Sequence, residues 1–328
     1  MHQPYPPYIV RGGEQVLCQP FQVLDVDSHC FVLQADAPAL TALCERYLNA
    51  PLAAMGDGRT RYRPVSSFVL LTFMHLTQTH AERPPEAWVE EHEAILWILT
   101  MAGKEELGVF VADRLAWFTP YIFVDSPPAM LAGEIIYGFP KAIADVSLAP
   151  QPGDPFTVDT MVVAKYGYDS QATTQRLLTL RPVEVRPGEH PELHTLEEMV
   201  RTALARLPKE HHQLVLPDPH FIVSAVTDLF AGRMPMVALK QFRDVVDGTR
   251  ACYQAVIEFD LTLQNLRSMS VSFDPWELEI GQFESHPIVT DFGFPGSVVP
   301  TLVSTHMQYD LQLGVGRIIA EYGQSGQR

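Results

Sequence analysis

The sequence is poor in cysteine, poor in basic residues and without a long apolar run. Its four cysteines, Cys18, Cys30, Cys44 and Cys252, form no CxxC pair. Their spacing matches neither a zinc site nor a disulfide framework, so they read as free thiols of a reducing cytoplasm, and no metal is expected. Lys and Arg total 23 against 39 Asp and Glu, a net charge of −16. So acidic a surface repels phosphate backbones and excludes nucleic acid as a partner. No apolar stretch reaches the roughly 18 residues of a membrane-spanning helix, so no membrane is expected. The start, Met1-His2-Gln3-Pro4-Tyr5-Pro6-Pro7, has neither a basic lead nor an apolar core and does not read as a secretory signal. A glycine-rich phosphate loop, HExxH and G-x-S-x-G are all missing, which removes the nucleotide-binding, zinc-protease and serine-hydrolase classes. There is no internal repeat.

What is present is material for a large core: 328 residues, 47% hydrophobic and 19% charged. Residues 1–20 read as a Pro-rich arm, and with no boundary further on, 21–328 reads as one domain. Alternation or β-branched content predicts strands at Phe21–Gln34, Tyr62–Leu76, Trp117–Val124, Ala144–Leu148, Thr157–Tyr166 and Thr173–Pro182. Met236–Phe242, Ala251–Leu263, Met269–Phe273, Trp276–Ile280 and Val298–Val315 are also β-rich. Asp36 with Pro38 opens a helix that Asn49-Ala50-Pro51 ends, and Ser126 opens a short one over Pro127–Ala132. Helix is expected over 103–116, over Thr195–Leu207 behind a Thr195/Glu198 capping box, and in a short or frayed form over Arg317–Tyr322. Phe221–Phe230 fits helix or strand; His75, His80, His211 and His212 read as rim or solvated histidines. Trp88–Met101 fits either a helix start or a buried strand. Many strands with frequent turns suit a mostly β, α+β chain closed into a barrel.

The run Gly133-Glu134-Ile135-Ile136-Tyr137-Gly138-Phe139-Pro140-Lys141-Ala142-Ile143-Ala144 carries one lysine inside an apolar stretch. Dehydration disfavours an ammonium, so Lys141 is expected to have a lowered pKa. A neutral amine attacks an aldehyde or ketone and forms a Schiff base. Tyr137 is a candidate proton donor, and Phe139, Glu134 and Gln254 are candidate substrate contacts.

Gly133 followed by Tyr137-Gly138-Phe139-Pro140-Lys141 resembles the active-site signature of the acetoacetate decarboxylase superfamily. Leu239-Lys240-Gln241-Phe242-Arg243-Asp244, then Ala251-Cys252-Tyr253-Gln254-Ala255, resembles a second stretch of its longer members. Phe123-Val124-Asp125-Ser126-Pro127 extends the likeness upstream, and the whole spans residues 60–265. The resemblance implies a closed antiparallel β-barrel or cone with peripheral helices, an enclosed pocket holding the imine lysine, homo-oligomeric assembly and no cofactor. It also implies a strand over Trp88–Met101, with Glu90 in the place of a pocket glutamate.

Three departures follow. Ala142 stands where the decarboxylases have a second lysine, Gly133-Glu134-Ile135 stands where the family has Gly-Arg-Glu, and no arginine near 26–31 matches the substrate-carboxylate arginine. A second pocket glutamate falls on an apolar residue near Leu71. The expected activity is therefore that of a Schiff-base lyase on a keto acid or related carbonyl compound, with decarboxylase or aldolase-dehydratase chemistry. The alternative is a non-catalytic small-molecule-binding member of the fold. Lys240 and Arg243 are expected to serve in salt bridges, and Glu90, Glu91 and Glu93 also read as an acidic surface run.

Overall fold

The computed structural model describes residues 6–11, 18–81, 88–106, 109–149, 151, 153–183 and 232–322. The expected helix Thr195–Leu207, His211, His212 and the segment Phe221–Phe230 lie outside these residues.

Strand β1 (Phe21–Gln34) opens the fold. Asp25, at φ 55, makes a bulge in it where the register with its neighbour shifts between Val23 and Val26. The bulge keeps Phe21, Val23, Ser28 and Cys30 toward one interior and turns Asp27 and His29 to the other face. Asp36 then caps α1 (Ala37–Cys44), its Oδ2 accepting from the Ala39 N–H at 3.2 Å. The helix does not stop at Pro51. A π-helical turn, Glu45–Asn49, leads into α2 (Ala50–Ala54), where proline occupies the first turn and its missing N–H costs nothing.

Three long antiparallel strands follow: β2 (Thr60–Ala81), β3 (Val89–Glu106) and β4 (Val109–Val124). The helix expected over 103–116 is instead the end of β3 and the start of β4, with Gly103 opposite Ala112 and Glu105 opposite Phe110. Val109, Phe110 and Val111 prefer the pleated ladder, and pairing along the whole hairpin overrides the helical spacing of the leucines and glutamates. Helix α3 (Pro127–Ala132) and a π-helical turn, Gly133–Tyr137, deliver the chain to β5 (Lys141–Ser147). Next come β6 (Phe156–Val162), β7 (Thr173–Pro182), β8 (Arg233–Arg243), β9 (Ala251–Ser272) and β10 (Trp276–Ile280). The last elements are α4 (Ile288–Phe292), β11 (Val298–Leu313) and β12 (Arg317–Tyr322). β12 is a strand, not the expected frayed helix, because it pairs with β9 from Glu258 to Gln254.

The twelve strands form one sheet that closes on itself twice. β4 forks: Trp117 and Phe118 pair parallel with β8, while Ile122, Phe123 and Val124 pair parallel with Lys141, Ala142 and Ile143 of β5. β11 forks likewise, first to β10 and then to β9. β1, β2, β3, β4 and β11 are thus a wall common to two rings, antiparallel everywhere except at the β4 fork. The ring holding β5, β6, β7 and β10 is filled with side chains. Phe31, Phe73, Phe156 and Trp276 meet there at centroid distances of 5.0–5.7 Å, each pair adding about 0.5–1.5 kcal/mol beyond its buried area. The ring holding β8 and β9 is not filled.

One polar node ties that second ring together. Glu258 is 3% exposed and accepts from the Tyr62 hydroxyl at 2.5 Å, Arg114 Nη2 at 2.7 Å and Arg317 Nη2 at 2.5 Å. The four residues belong to β9, β2, β4 and β12. No helix among the described residues is long and apolar enough to cross a membrane.

Candidate active site

Lys141 opens β5, against Ile122 of β4. The turn before it is shaped by two glycines. At Gly133 a Cβ would lie 2.8 Å from both Cδ and Cε of Lys141, so any side chain there would force the lysine stem off its present path. Gly138 sits at φ +67, and a Cβ there would lie 2.4 Å from Lys240 Cα. Here the left-handed backbone and the close approach of β8 both demand glycine. The two stretches that resemble the decarboxylase superfamily meet at this contact.

The lysine head enters a cavity of about 150 Å³ inside the open ring. Its side chain is 9% exposed and faces two carboxylates, Glu93 (7%) and Glu91 (4%). Nζ donates to Glu93 Oε1, and Glu91 Oε2 stands 3.7 Å away. Both glutamates come from β3, two residues apart and so on one face. Lys141 reaches them across β4. The Phe139 ring lies with its centroid 6.0 Å from Nζ.

The electrostatics differ from the expectation of simple dehydration. Burial presses the Lys141 ammonium toward neutrality, but the charges of Glu93 and Glu91 outweigh it, and its pKa is raised above the ordinary lysine value. The cost of burial falls on Glu91. Desolvation pushes its carboxyl up to about 8; Lys141 pulls it down, and the nearby Glu93 charge pushes it up again. Desolvation therefore favours the protonated form of Glu91, while the two neighbouring glutamates favour the ammonium form of Lys141. Among the described residues Glu91 Oε2 and Thr119 Oγ1 are buried without a hydrogen-bond partner, and both residues line the cavity.

The other expected site residues are distributed unevenly. Tyr137 and Phe139 line the cavity. The Tyr137 hydroxyl points away, donating to the Gly314 carbonyl at 2.9 Å, while its ring packs 4.4 Å from that of Phe259. Glu90 is not in the cavity. Strand alternation turns it outward, where it meets His75 Nε2 at 2.7 Å with its side chain 52% exposed. Glu134 is half-buried behind the lysine turn and outside the lining; desolvation raises its pKa. Gln254 donates to Gln241 at 2.9 Å near the surface, also outside the lining. Lys240 makes no ion pair among the described residues; its Nζ lies 5.8 Å from the Phe242 ring and 5.9 Å from the Tyr253 ring. Arg243 Nη1 donates to the Gly248 carbonyl at 2.5 Å.

Glu91 and Glu93 were legible only through the period of two. Once Val89–Glu106 is a strand, 89, 91, 93, 95 and 97 share a face, and that face carries Ile95 and Trp97. Ser28 and Cys30 occupy the cavity positions where the superfamily's arginine would be sought. Leu71 faces the filled ring, and its neighbours Leu70 and Thr72 face the cavity. Thr119, Trp97, Trp117 and Tyr309 had no local signal.

One further group could hold a metal ion. Asp27, His29 and His306, on the opposite face of the β1–β11 pair, bring three ligand atoms within 4.8 Å of one another. Asp27 already accepts from His306 at 2.8 Å and from Gln308 at 3.3 Å.

No protein-family model and no curated protein matches the sequence. Solved structures do. The chain is similar to the acetoacetate decarboxylase of Legionella pneumophila, with a TM-score of 0.60 and 13% identity over 98% of this chain and 93% of that one. It is similar to an acetoacetate decarboxylase-like enzyme of Sphingomonas wittichii, with a TM-score of 0.53 and 15% identity over 96% and 98%. It is also similar to the enduracididine biosynthesis enzyme MppR complexed with the condensation product of pyruvate and imidazole 4-carboxaldehyde. There the TM-score is 0.53, with 12% identity over 95% and 94%. The fold is that of the acetoacetate decarboxylase-like enzymes, and it spans nearly the whole length of each.

Proposed function

We propose that the chain is a Schiff-base-forming lyase with Lys141 as the imine nucleophile. One observation carries the reading: a nearly dehydrated lysine at the wall of a largely apolar cavity, with two buried carboxylates on its head. A structural ion pair needs one partner; a proton-handling site needs a group to accept the lysine proton and another to give one.

In this reading Glu93 takes the proton from the ammonium as a carbonyl compound enters. The freed nitrogen attacks the carbonyl carbon and gives a carbinolamine. Glu91, held as an acid, donates its proton to the carbinolamine oxygen, which leaves as water and leaves an iminium. The iminium accepts an electron pair, either from a departing carboxylate in decarboxylation or from an α C–H bond in enamine formation. An enamine then runs aldol addition or its reverse, and dehydration. MppR in complex with a condensation product supports the second route on this fold. Hydrolysis of the last imine consumes one water and restores the amine.

The test is reductive trapping. The protein is incubated with pyruvate, acetoacetate and simple ketones, reduced with cyanoborohydride, and peptide-mapped. An adduct on Lys141, missing in Lys141→Met, is expected. Absence of any Lys141 adduct across the panel overturns the reading.

A further inference from the structure

We infer that the carbonyl compound taken at Lys141 is uncharged and apolar, an aliphatic or aryl ketone or aldehyde, and not a keto acid. The inference rests on the Schiff-base reading and narrows it.

The cavity is built for one polar end. Around the lysine head stand Glu91 and Glu93; the remaining wall is dominated by side chains such as Met74, Trp97, Trp117, Met234, Leu263 and Met307. Among the described residues Lys141 is the one cation in the lining, and it is already paired. A substrate carboxylate would enter beside two acidic groups and find no cation but the lysine nitrogen itself, which already faces Glu91 and Glu93 both as ammonium and as iminium. An unpaired buried carboxylate is costly, whereas an apolar chain gains from leaving water. Ser28 and Cys30, the cavity-facing side chains of β1 beyond the bulge, are small and neutral.

Size and unmet hydrogen bonds agree. A volume near 150 Å³ matches a cavity known to admit a benzene-sized guest, roughly six heavy atoms. Among the described residues Glu91 Oε2 and Thr119 Oγ1 are buried without a hydrogen-bond partner, and both residues face this space. Glu91 suits the carbonyl oxygen. Thr119 is three residues along β4 from Ile122, the partner of Lys141, so about 10 Å along the strand. It leaves room for one neutral hydrogen-bonding group on an otherwise apolar body.

The reaction class narrows as well. Without a carboxylate to lose, the iminium's outlet is an α-proton. Glu91, a carboxylate once its proton has gone to the carbinolamine oxygen, takes the α-proton as the C–H pair moves into the enamine; the enamine carbon then forms a new C–C bond to a second uncharged aldehyde, whose oxygen takes that proton back from Glu91. Loss of that hydroxyl as water then gives an enone; the retro-aldol direction breaks the same bond.

The experiment uses matched ketones on the unmodified protein. Trapping on Lys141 is titrated with 2-hexanone and with 5-oxohexanoate, which differ chiefly in the terminal carboxylate, and with benzaldehyde and 4-formylbenzoate. Lys141→Met supplies the background. Half-saturation at least about tenfold lower for the uncharged member of each pair is expected. Equal or tighter trapping of the carboxylates on Lys141 overturns this inference and leaves the Schiff-base reading standing. No adduct on Lys141 from these four probes, pyruvate or acetoacetate overturns both.

Discussion

Gly133 and Lys141 are in contact across the turn that joins them: a methyl group on Gly133 would sit 2.8 Å from Cδ and Cε of the lysine. The glycine of the apolar loop is there for the lysine's stem and not for its own backbone. Gly133→Ala is therefore expected to displace the Lys141 head from Glu93 while leaving the strands paired. Trapping of a ketone on Lys141 should fall by about tenfold or more, since small misplacements in a reacting centre have large effects. A circular dichroism spectrum like that of the parent checks that the fold survives; parental trapping would show that the stem has another path.

Glu91 and Glu90 are neighbours in sequence on opposite faces of β3 and should separate cleanly. Below about pH 8 Glu91 carries its proton and serves as acid; above it, a second negative charge faces Lys141 and holds the ammonium more firmly. The rate of Lys141 trapping is thus expected to fall as pH rises through about 8, the reverse of a free lysine. Glu91→Gln should lower the rate by about 10²-fold and flatten that limb. Glu90→Gln should leave rate and profile as in the parent. Stopped trapping time courses across pH measure all three.

The Tyr137 hydroxyl is spent on the Gly314 carbonyl. Tyr137→Phe is expected to keep Lys141 trapping intact and to lower stability by about 1 kcal/mol, read as a shifted urea midpoint. A large loss of trapping with unchanged stability would return the hydroxyl to the chemistry.

Glu258 is a structural counterpart of the site, buried with Tyr62, Arg114 and Arg317 around it. Glu258→Ala leaves Arg114 with only the exposed Asp113 as a carboxylate partner and the Tyr62 hydroxyl without its acceptor, and should cost about 2–3 kcal/mol by urea unfolding. Burial alone would raise the Glu258 pKa, but hydrogen bonds from Arg114 and Tyr62 and the charge of Arg114 lower it on balance. A carboxyl depressed in the folded state contributes stability that is full above its unfolded pKa. That contribution is lost as pH falls through the folded value. The parent should therefore lose stability on acidification below the ordinary glutamate range, and Glu258→Gln should flatten that loss.

Several elements were readable directly. Alternation and β-rich composition marked β1, β7 and β10 to their ends, Asp36 marked the start of α1, and Gly133, Gly138 and Lys141 marked the lysine turn. These are local matters: pleat and cap chemistry depend on neighbours in the chain, and the glycines and the lysine stand together in one short run. The hairpin at 103–116 and the strand at 317–322 were not readable. Their short-range preference was helical or weak, and ladder bonds across the hairpin, to distant β2 residues and to β9 decided them.

By itself the sequence determined that one lysine sits in an apolar, glycine-containing run. Only the tertiary structure decided what that lysine meets. Glu91 and Glu93 reach it from β3 because the two rings share a wall, and the parity of that strand puts Glu90 outside. The emptiness of one ring and the filling of the other are likewise long-range outcomes, since a cavity belongs to no single segment.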